Sequence, residues 1–167
     1  MSGRSTAPHI AIVGAGPAGS SAATFLARQG ARVTLLERSH FPRDKTCGDG
    51  CTPRTLWMLE RLGLGELASS EGMPVESVHA VSPGGVAWDA AIPARLFGGK
   101  ASVIPRAVLD ERLVRGAVQA GAVLREGARV EGLEREADAV RLRLRDGESL
   151  RADLVLGCDG SPSVVRG

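Results

Sequence analysis

Between two apolar stretches, residues 11–39 hold a knot of glycine: AIVGAGPAGSSAATFLARQGARVTLLERS. Gly14, Gly16 and Gly19 stand at G-x-G-x-x-G spacing, and this run restricts the fold more than any other in the chain. It follows His9 to Val13, an apolar run of the length of a buried strand. Pro17 is tolerated in a first helical turn, and Ala18 to Gln29 reads as a helix that Gly30 stops. Arg32 to Glu37 is β-rich, so the chain opens with one βαβ unit.

A lone G-x-G-x-x-G is a weak signal. Here a strand precedes it, a helix follows it, and an acid, Glu37, closes the next strand, which is the full pattern of a dinucleotide site. Gly14 lets the chain turn sharply, Gly16 lets the backbone approach a pyrophosphate, and Gly19 lets the helix sit close to the sheet. Pro17 and Ala18 open the helix, whose first amides and partial positive charge face the phosphates. Glu37 is positioned to accept hydrogen bonds from ribose hydroxyls and would repel a 2′-phosphate, which disfavours NADP. The competing reading is a tight turn without a ligand. The glycines alone do not separate FAD from NAD.

Composition excludes several classes. The 167 residues suffice for one cored domain, with 43% hydrophobic and 24% charged residues. A net charge of +2 offers no electrostatic case for nucleic acid or a membrane surface. Neither a signal peptide nor a membrane-length apolar run is present in the sequence, and a cytoplasmic protein is the expectation. Cys47, Cys51 and Cys158 fit a reducing compartment, and with no second Cys or His pair a structural metal is not expected.

Further along, Arg38 to Thr55 loses all periodicity, as a functional loop does. Arg54 to Leu62 is helical, and Val78 to Ser82 and Val86 to Ile92 flank a Pro83-Gly84-Gly85 turn as a hairpin. A helix from about Arg106 to Ala120 carries Leu109, Leu113, Val114 and Val118. Four β-like runs follow, Val123 to Arg125, Arg129 to Arg135, Val140 to Arg145 and Ser149 to Leu156, with Asp146-Gly147 as a turn. The alternation in VRLRLR reads as a half-exposed strand with its arginines on a solvated face, not as an arginine patch. The fold class is α/β, a parallel sheet with an antiparallel β-meander over about 123–156 as a second layer.

Two later stretches, IPRAVLDERL (104–113) and LVLGCDGSPSVVRG (154–167), resemble the second and third segments of the FAD-dependent monooxygenase and geranylgeranyl reductase superfamily. That resemblance implies a Rossmann-like FAD-binding domain of glutathione-reductase-type topology. It also implies that Arg106 reaches toward the FAD pyrophosphate and ribose, and that Asp159-Gly160 lies beside the ribityl and pyrophosphate groups. Arg129 and Val130 would run past the adenine, while Glu37 and Arg38 hold the adenosine ribose.

The loop FPRDKTCGDGCTPR (41–54) looks like that of geranylgeranyl-reductase-type flavoproteins, where it lies near the flavin. Arg43 and Lys45 would offset negative charge, and Gly48 and Gly50 would let backbone lie against a flat ring. Cys47 is either a small buried hydrophobe or part of the flavin pocket, and no histidine partner marks it as a thiolate. His9 is expected to begin the first strand, and Trp57 and Trp88 to pack. Asp110 and Glu111, early in their helix, need only the helix dipole.

The resemblance covers the first part of such flavoproteins. Their substrate-binding sheet and the later Gly-Asp-Ala segment have no counterpart in the sequence. A second polypeptide or a C-terminal half is therefore expected to complete the flavin and substrate sites. The expected activity is alkene reduction or monooxygenation of a small hydrophobic substrate, isoprenoid or polyketide-like, with NAD(P)H as a transient reductant. No catalytic residue is assigned. The alternative is a noncatalytic nucleotide-binding or interaction subunit.

Overall fold

The protein is described here by a computed structural model covering residues 7–46 and 48–166. Two units divide it, residues 7–43 with 110–166, and Asp44–Leu109.

The first unit begins with the expected β1 (His9–Val13), α1 (Pro17–Arg28) and β2 (Arg32–Leu36). Later in the chain come α4 (Arg106–Gln119), inside which the unit boundary falls, and β8 (Val123–Arg125). They are followed by β9 (Val130–Arg135), β10 (Val140–Leu144), β11 (Ser149–Ala152) and β12 (Leu154–Gly157). A parallel sheet runs in the order β12-β1-β2-β8, and β11-β10-β9 form an antiparallel meander.

The period-2 geometry of a strand explains the layering. Ile10, Ile12, Val33 and Leu35 share a cluster with Ala23 of α1 and Val114 and Ala117 of α4. The alternate residues Ala11, Val13 and Leu36 share another with Val130, Leu142, Leu144 and Ala152 of the meander. Buried on both faces, β1 and β2 read as continuous apolar runs.

Two strand expectations change. Val123–Arg125 does not belong to the meander; it pairs parallel with β2, Leu35 opposite Leu124. The run from Ser149 to Leu156 is not one strand but two, β11 in the meander and β12 in the parallel sheet. The break falls at Asp153, whose amide donates to the His9 carbonyl (2.9 Å) while its carboxylate accepts from the His9 amide (2.7 Å). The His9 ring also sits 2.8 Å from Thr34 Oγ1 and 3.0 Å from the Arg151 carbonyl, so the first residue of β1 ties it to both neighbouring elements.

β10 behaves as its alternation predicts. Leu142 and Leu144 are buried, while Arg143 meets Glu134 at 3.2 Å and Arg141 meets Glu136 at 2.6 Å on the outer face.

The second unit contains β3 (Gly50–Cys51), α2 (Pro53–Leu62), α3 (Leu67–Ser70), β4 (Met73–Val75), β5 (Ser77–Val81), β6 (Ala87–Ala91) and β7 (Ala101–Val103). The irregular stretch after β2 is thus shorter than expected, ending in β3. Thr52 Oγ1 caps α2 by accepting from the Thr55 amide (3.3 Å), and Gly63 ends it in the left-handed region. α3 has no signature in the sequence, because one helical turn is too short to display a period. β3-β7-β4 form a small antiparallel sheet, and β5 and β6 the expected hairpin. Trp57 packs as expected, 5.4 Å from the Phe97 ring, whereas Trp88 on the hairpin is 55% exposed. Among the described residues, no helix is long and apolar enough to cross a membrane.

Candidate functional site

In the first unit the candidate residues gather at the C-terminal ends of β1, β2 and β12. The chain leaves β1 toward β2 on one side, and β12 returns on the other, so the crevice there is a topological switch point.

The three glycines have different reasons for being glycine. Gly14 has φ +95°, donates to the Leu36 carbonyl (2.8 Å), and lies so close to β12 that a Cβ would collide with the Cys158 carbonyl. A Cβ on Gly19 would collide with the Gly14 carbonyl oxygen. Both are demanded by the fold. Gly16 is not: its φ is −72°, and a Cβ would find only Arg43 Nη2, at an ordinary 3.7 Å. Gly16 is also the N-cap of α1 and supplies no side chain to cap it, with Pro17 at the first position. The Ser20 amide donates to the Gly16 carbonyl (3.0 Å), so of the first helical residues Ala18 and Gly19 carry amides with no preceding helical carbonyl to meet, and Pro17 has no N–H.

Glu37 follows β2 and is 6% exposed. Its Oε2 accepts from the Ala15 amide (2.9 Å) and its Oε1 from the Ser39 amide (3.1 Å), so the acid clamps the glycine turn to the end of β2. A carboxylate has about four acceptor positions, and two backbone donors leave capacity for a ligand.

Arg43 brings a charge cluster to the same place. Its Nη2 lies 3.7 Å from Glu37 Oε2 and its Nη1 3.2 Å from Asp110 Oδ2. The guanidinium stands 5.1 Å from the centroid of Phe41, and its buried Nε has no hydrogen-bond partner. The reading of Asp110 as a helix-dipole residue is corrected: it is fully buried and ion-paired. A signal was present in the sequence. Asp110, Val114 and Ala117 recur at helical spacing, which places an acid on the buried stripe of α4, where it needs a cation.

Asp159 closes the turn after β12. It accepts from Ser163 Oγ (2.8 Å), the Val164 amide (2.6 Å) and the Val165 amide (3.4 Å). Burial pushes this carboxyl upward, but the bonds from Ser163 and the amides outweigh it and hold it below the usual Asp value. Gly160 has φ +78°, and an open cleft of about 540 Å³ runs past Ala18, Gly157, Cys158, Asp159, Gly160 and Ser163. Burial, then the neighbouring Asp159, pushes the Cys158 thiol up, which disfavours a thiolate there.

Val130 turns its side chain into the core, leaving only its backbone for a ligand, while Arg38 and Arg129 are exposed. Lys45, Gly48 and Arg106 belong to the second unit. Lys45 and Gly48 are exposed, and a Cβ on Gly48 would meet nothing. Arg106 is 7% exposed and opens α4 with its amide on Asp49 Oδ1 (3.0 Å). The expectation for Cys47 lies outside the described residues. Among those residues, no group of His, Cys, Asp and Glu could hold a metal ion.

Strand, glycine turn, helix and acid, with a switch-point cleft, define a dinucleotide-binding α/β unit. The chain belongs to the family whose model is described as an FAD binding domain, which matches residues 8–167. It is similar to the menaquinone reductase of Mycolicibacterium smegmatis, 34% identical over 96% of this chain and 39% of that protein. It is likewise similar to the rifampicin monooxygenase of Streptomyces venezuelae, 34% identical over 94% of this chain and 33% of that protein. Among solved structures, the flavin-dependent halogenase CmlS matches with a TM-score of 0.84 and 30% identity, over 97% of this chain and 31% of that one. The chain thus spans about a third to two fifths of the length of these relatives.

FAD fits the residues present. The opening at Gly16, the first amides of α1, the Arg43 fork and the spare acceptor capacity of Glu37 supply what a pyrophosphate and a ribose require.

Proposed function

We propose that this chain is the FAD-holding part of a flavin-dependent oxidoreductase that acts on a hydrophobic substrate, isoprenoid or polyketide-like, by alkene reduction or monooxygenation. The observation that carries the cofactor half of this reading is Gly16. It is a glycine that neither backbone strain nor packing requires, beside the unfilled amides of a helix N-terminus.

In this reading the α1 amides and Arg43 hold the pyrophosphate, and Glu37 with Arg38 holds the adenosine ribose. The backbone at Arg129 and Val130 lines the adenine side, and Asp159 fixes the turn that presents Gly160 to the cleft. Lys45, Cys47, Gly48 and Arg106 serve the flavin end. Bound FAD supplies the redox chemistry, with NAD(P)H as its transient reductant.

The substrate class rests on what relatives are named for: menaquinone, rifampicin and 12-dehydrotetracycline. The rest of the flavin and substrate site comes from further chain or from a partner polypeptide, since function resides in a substrate site that this stretch does not carry.

The test is flavin retention. Wild-type protein is expected to purify yellow or to take up FAD on titration. Gly16→Val is expected to stay folded by circular dichroism and to lose the flavin. A folded Gly16→Val protein with wild-type flavin content would overturn the reading, and a wild type that never takes up FAD would favour the noncatalytic subunit.

A further inference from the structure

We propose that Asp110 is a positioning residue for the cofactor site, acting through Arg43. It sets the guanidinium beside the glycine turn and contributes nothing to the ligand directly. This deepens the reading of the chain as an FAD-holding unit and rests on it.

The geometry supports a division of labour along the guanidinium. One end, Nη1, is 3.2 Å from Asp110; the other, Nη2, is 3.7 Å from Glu37 and 3.7 Å from where a Gly16 Cβ would stand. The Glu37 distance is too long for a hydrogen bond, so Asp110 is the closer anchor of the two. The fork has a fixed planar shape, and pinning Nη1 sets where Nη2 points. The Phe41 ring supports the same group, its centroid 5.1 Å away.

Stability alone is a poor reason for this arrangement. Asp110 is fully buried on the apolar stripe of α4, where an apolar side chain could stand. A buried ion pair of this kind is often no more stabilising than well-packed apolar residues. What it provides is a cation held in place at the one glycine of the G-x-G-x-x-G motif that the fold does not need. From the sequence, Arg43 is a loop residue that would offset negative charge on phosphates or reduced flavin. Its partner on α4 makes it a fixed feature of the turn.

The experiment is a double-mutant cycle on FAD affinity in the purified protein, read by flavin fluorescence quenching. The variants are Asp110→Asn, Arg43→Gln and the pair, with thermal unfolding recorded in parallel. Losing a charge-assisted anchor predicts about tenfold to a hundredfold weaker FAD binding for Asp110→Asn. In the Arg43→Gln background, Asp110→Asn should change FAD affinity by less than about twofold, because the group through which it acts is gone.

Equal losses in both backgrounds, or no loss in the wild-type background, would overturn the proposal. Should Asp110→Asn alone fail to fold, the pair decides, since it buries neither charge. FAD affinity equal to that of Arg43→Gln supports the proposal, and a further loss overturns it. A wild type that does not bind FAD would instead defeat the reading on which this rests.

Discussion

Glu37 holds the glycine turn through the Ala15 amide and the following loop through the Ser39 amide before any ligand is considered. Replacing it by alanine would therefore disturb the turn itself. Glu37→Gln keeps one carbonyl oxygen and removes the charge. A ribose contact to a carboxylate is worth about 1.5–3 kcal/mol, so Glu37→Gln should weaken FAD binding by roughly tenfold to a hundredfold. FMN, which lacks the adenosine, should lose less than FAD, its residual loss reflecting the one backbone amide from which the glutamine cannot accept. Parallel titrations of the two flavins check this, and equal losses would mean that the charge acts through the fold. Asp159 gives a pH prediction of definite sign. Its carboxyl is held below the usual Asp value in the folded turn, so the stability it contributes is complete above that usual value and is lost as pH falls through the depressed one. Amide exchange at Val164 and Val165 should stay slow from neutral pH down into the ordinary carboxylate range and quicken only below it. Asp159→Asn should remove that acid transition.

The meander and the parallel sheet share one apolar layer, and Leu142, fully buried in the middle of β10, is central to it. Leu142→Ala should destabilise the protein by about 2–5 kcal/mol through lost burial and the cavity left behind. Arg143→Ala, one residue along on the outer face and half exposed in its pair with Glu134, should change stability by about 0.5 kcal/mol or less. Chemical denaturation of the two variants makes the comparison. The contrast also marks how far the sequence could be read. Alternation in VRLRLR distinguishes inside from outside on β10 without any coordinates, and the βαβ opening is equally plain because helix and strand periods are both present. The change of sheet at Asp153 is not legible. The apolar run continues across it, and only the exchange of hydrogen bonds with His9 marks the break. Nor is the pairing of Arg43 with Asp110 legible as a pair. Each residue has an ordinary local explanation, and their meeting depends on how the loop after β2 approaches α4, which packs on the same sheet.

Over the whole molecule, apolar side chains remain at the surface. In the second unit Met73, Val78, Val81, Val86, Trp88 and Phe97 are all at least about half exposed, four of them on or beside the β5–β6 hairpin. Clustered exposure of this kind marks an interaction surface or a route to association. We expect the isolated 167-residue chain to self-associate, aggregate or carry a second polypeptide through purification, and to give no sustained turnover with FAD and a reductant. Sedimentation velocity over a concentration series checks the first expectation. Steady substrate conversion by the pure, monomeric chain would contradict both.

The position of β1 in its sheet has a consequence for how the protein comes into being. β1 is synthesised long before β12, yet β12 closes one of its two edges. The sharp turn at Gly14 leans on Cys158, and the amide of Cys158 in turn closes on Val13. On the ribosome, then, the phosphate turn emerges early and waits. The glycine motif is complete at Gly19, but the surface against which it folds arrives only with β12 and Cys158. Contacts of such long sequence separation make folding slow, and an apolar strand left with an open edge meanwhile is open to wrong pairings. A nascent or proteolytically shortened chain lacking β12 would retain every residue of the glycine motif without the surface on which Gly14 leans, so cofactor loading is expected only after β12 has been made.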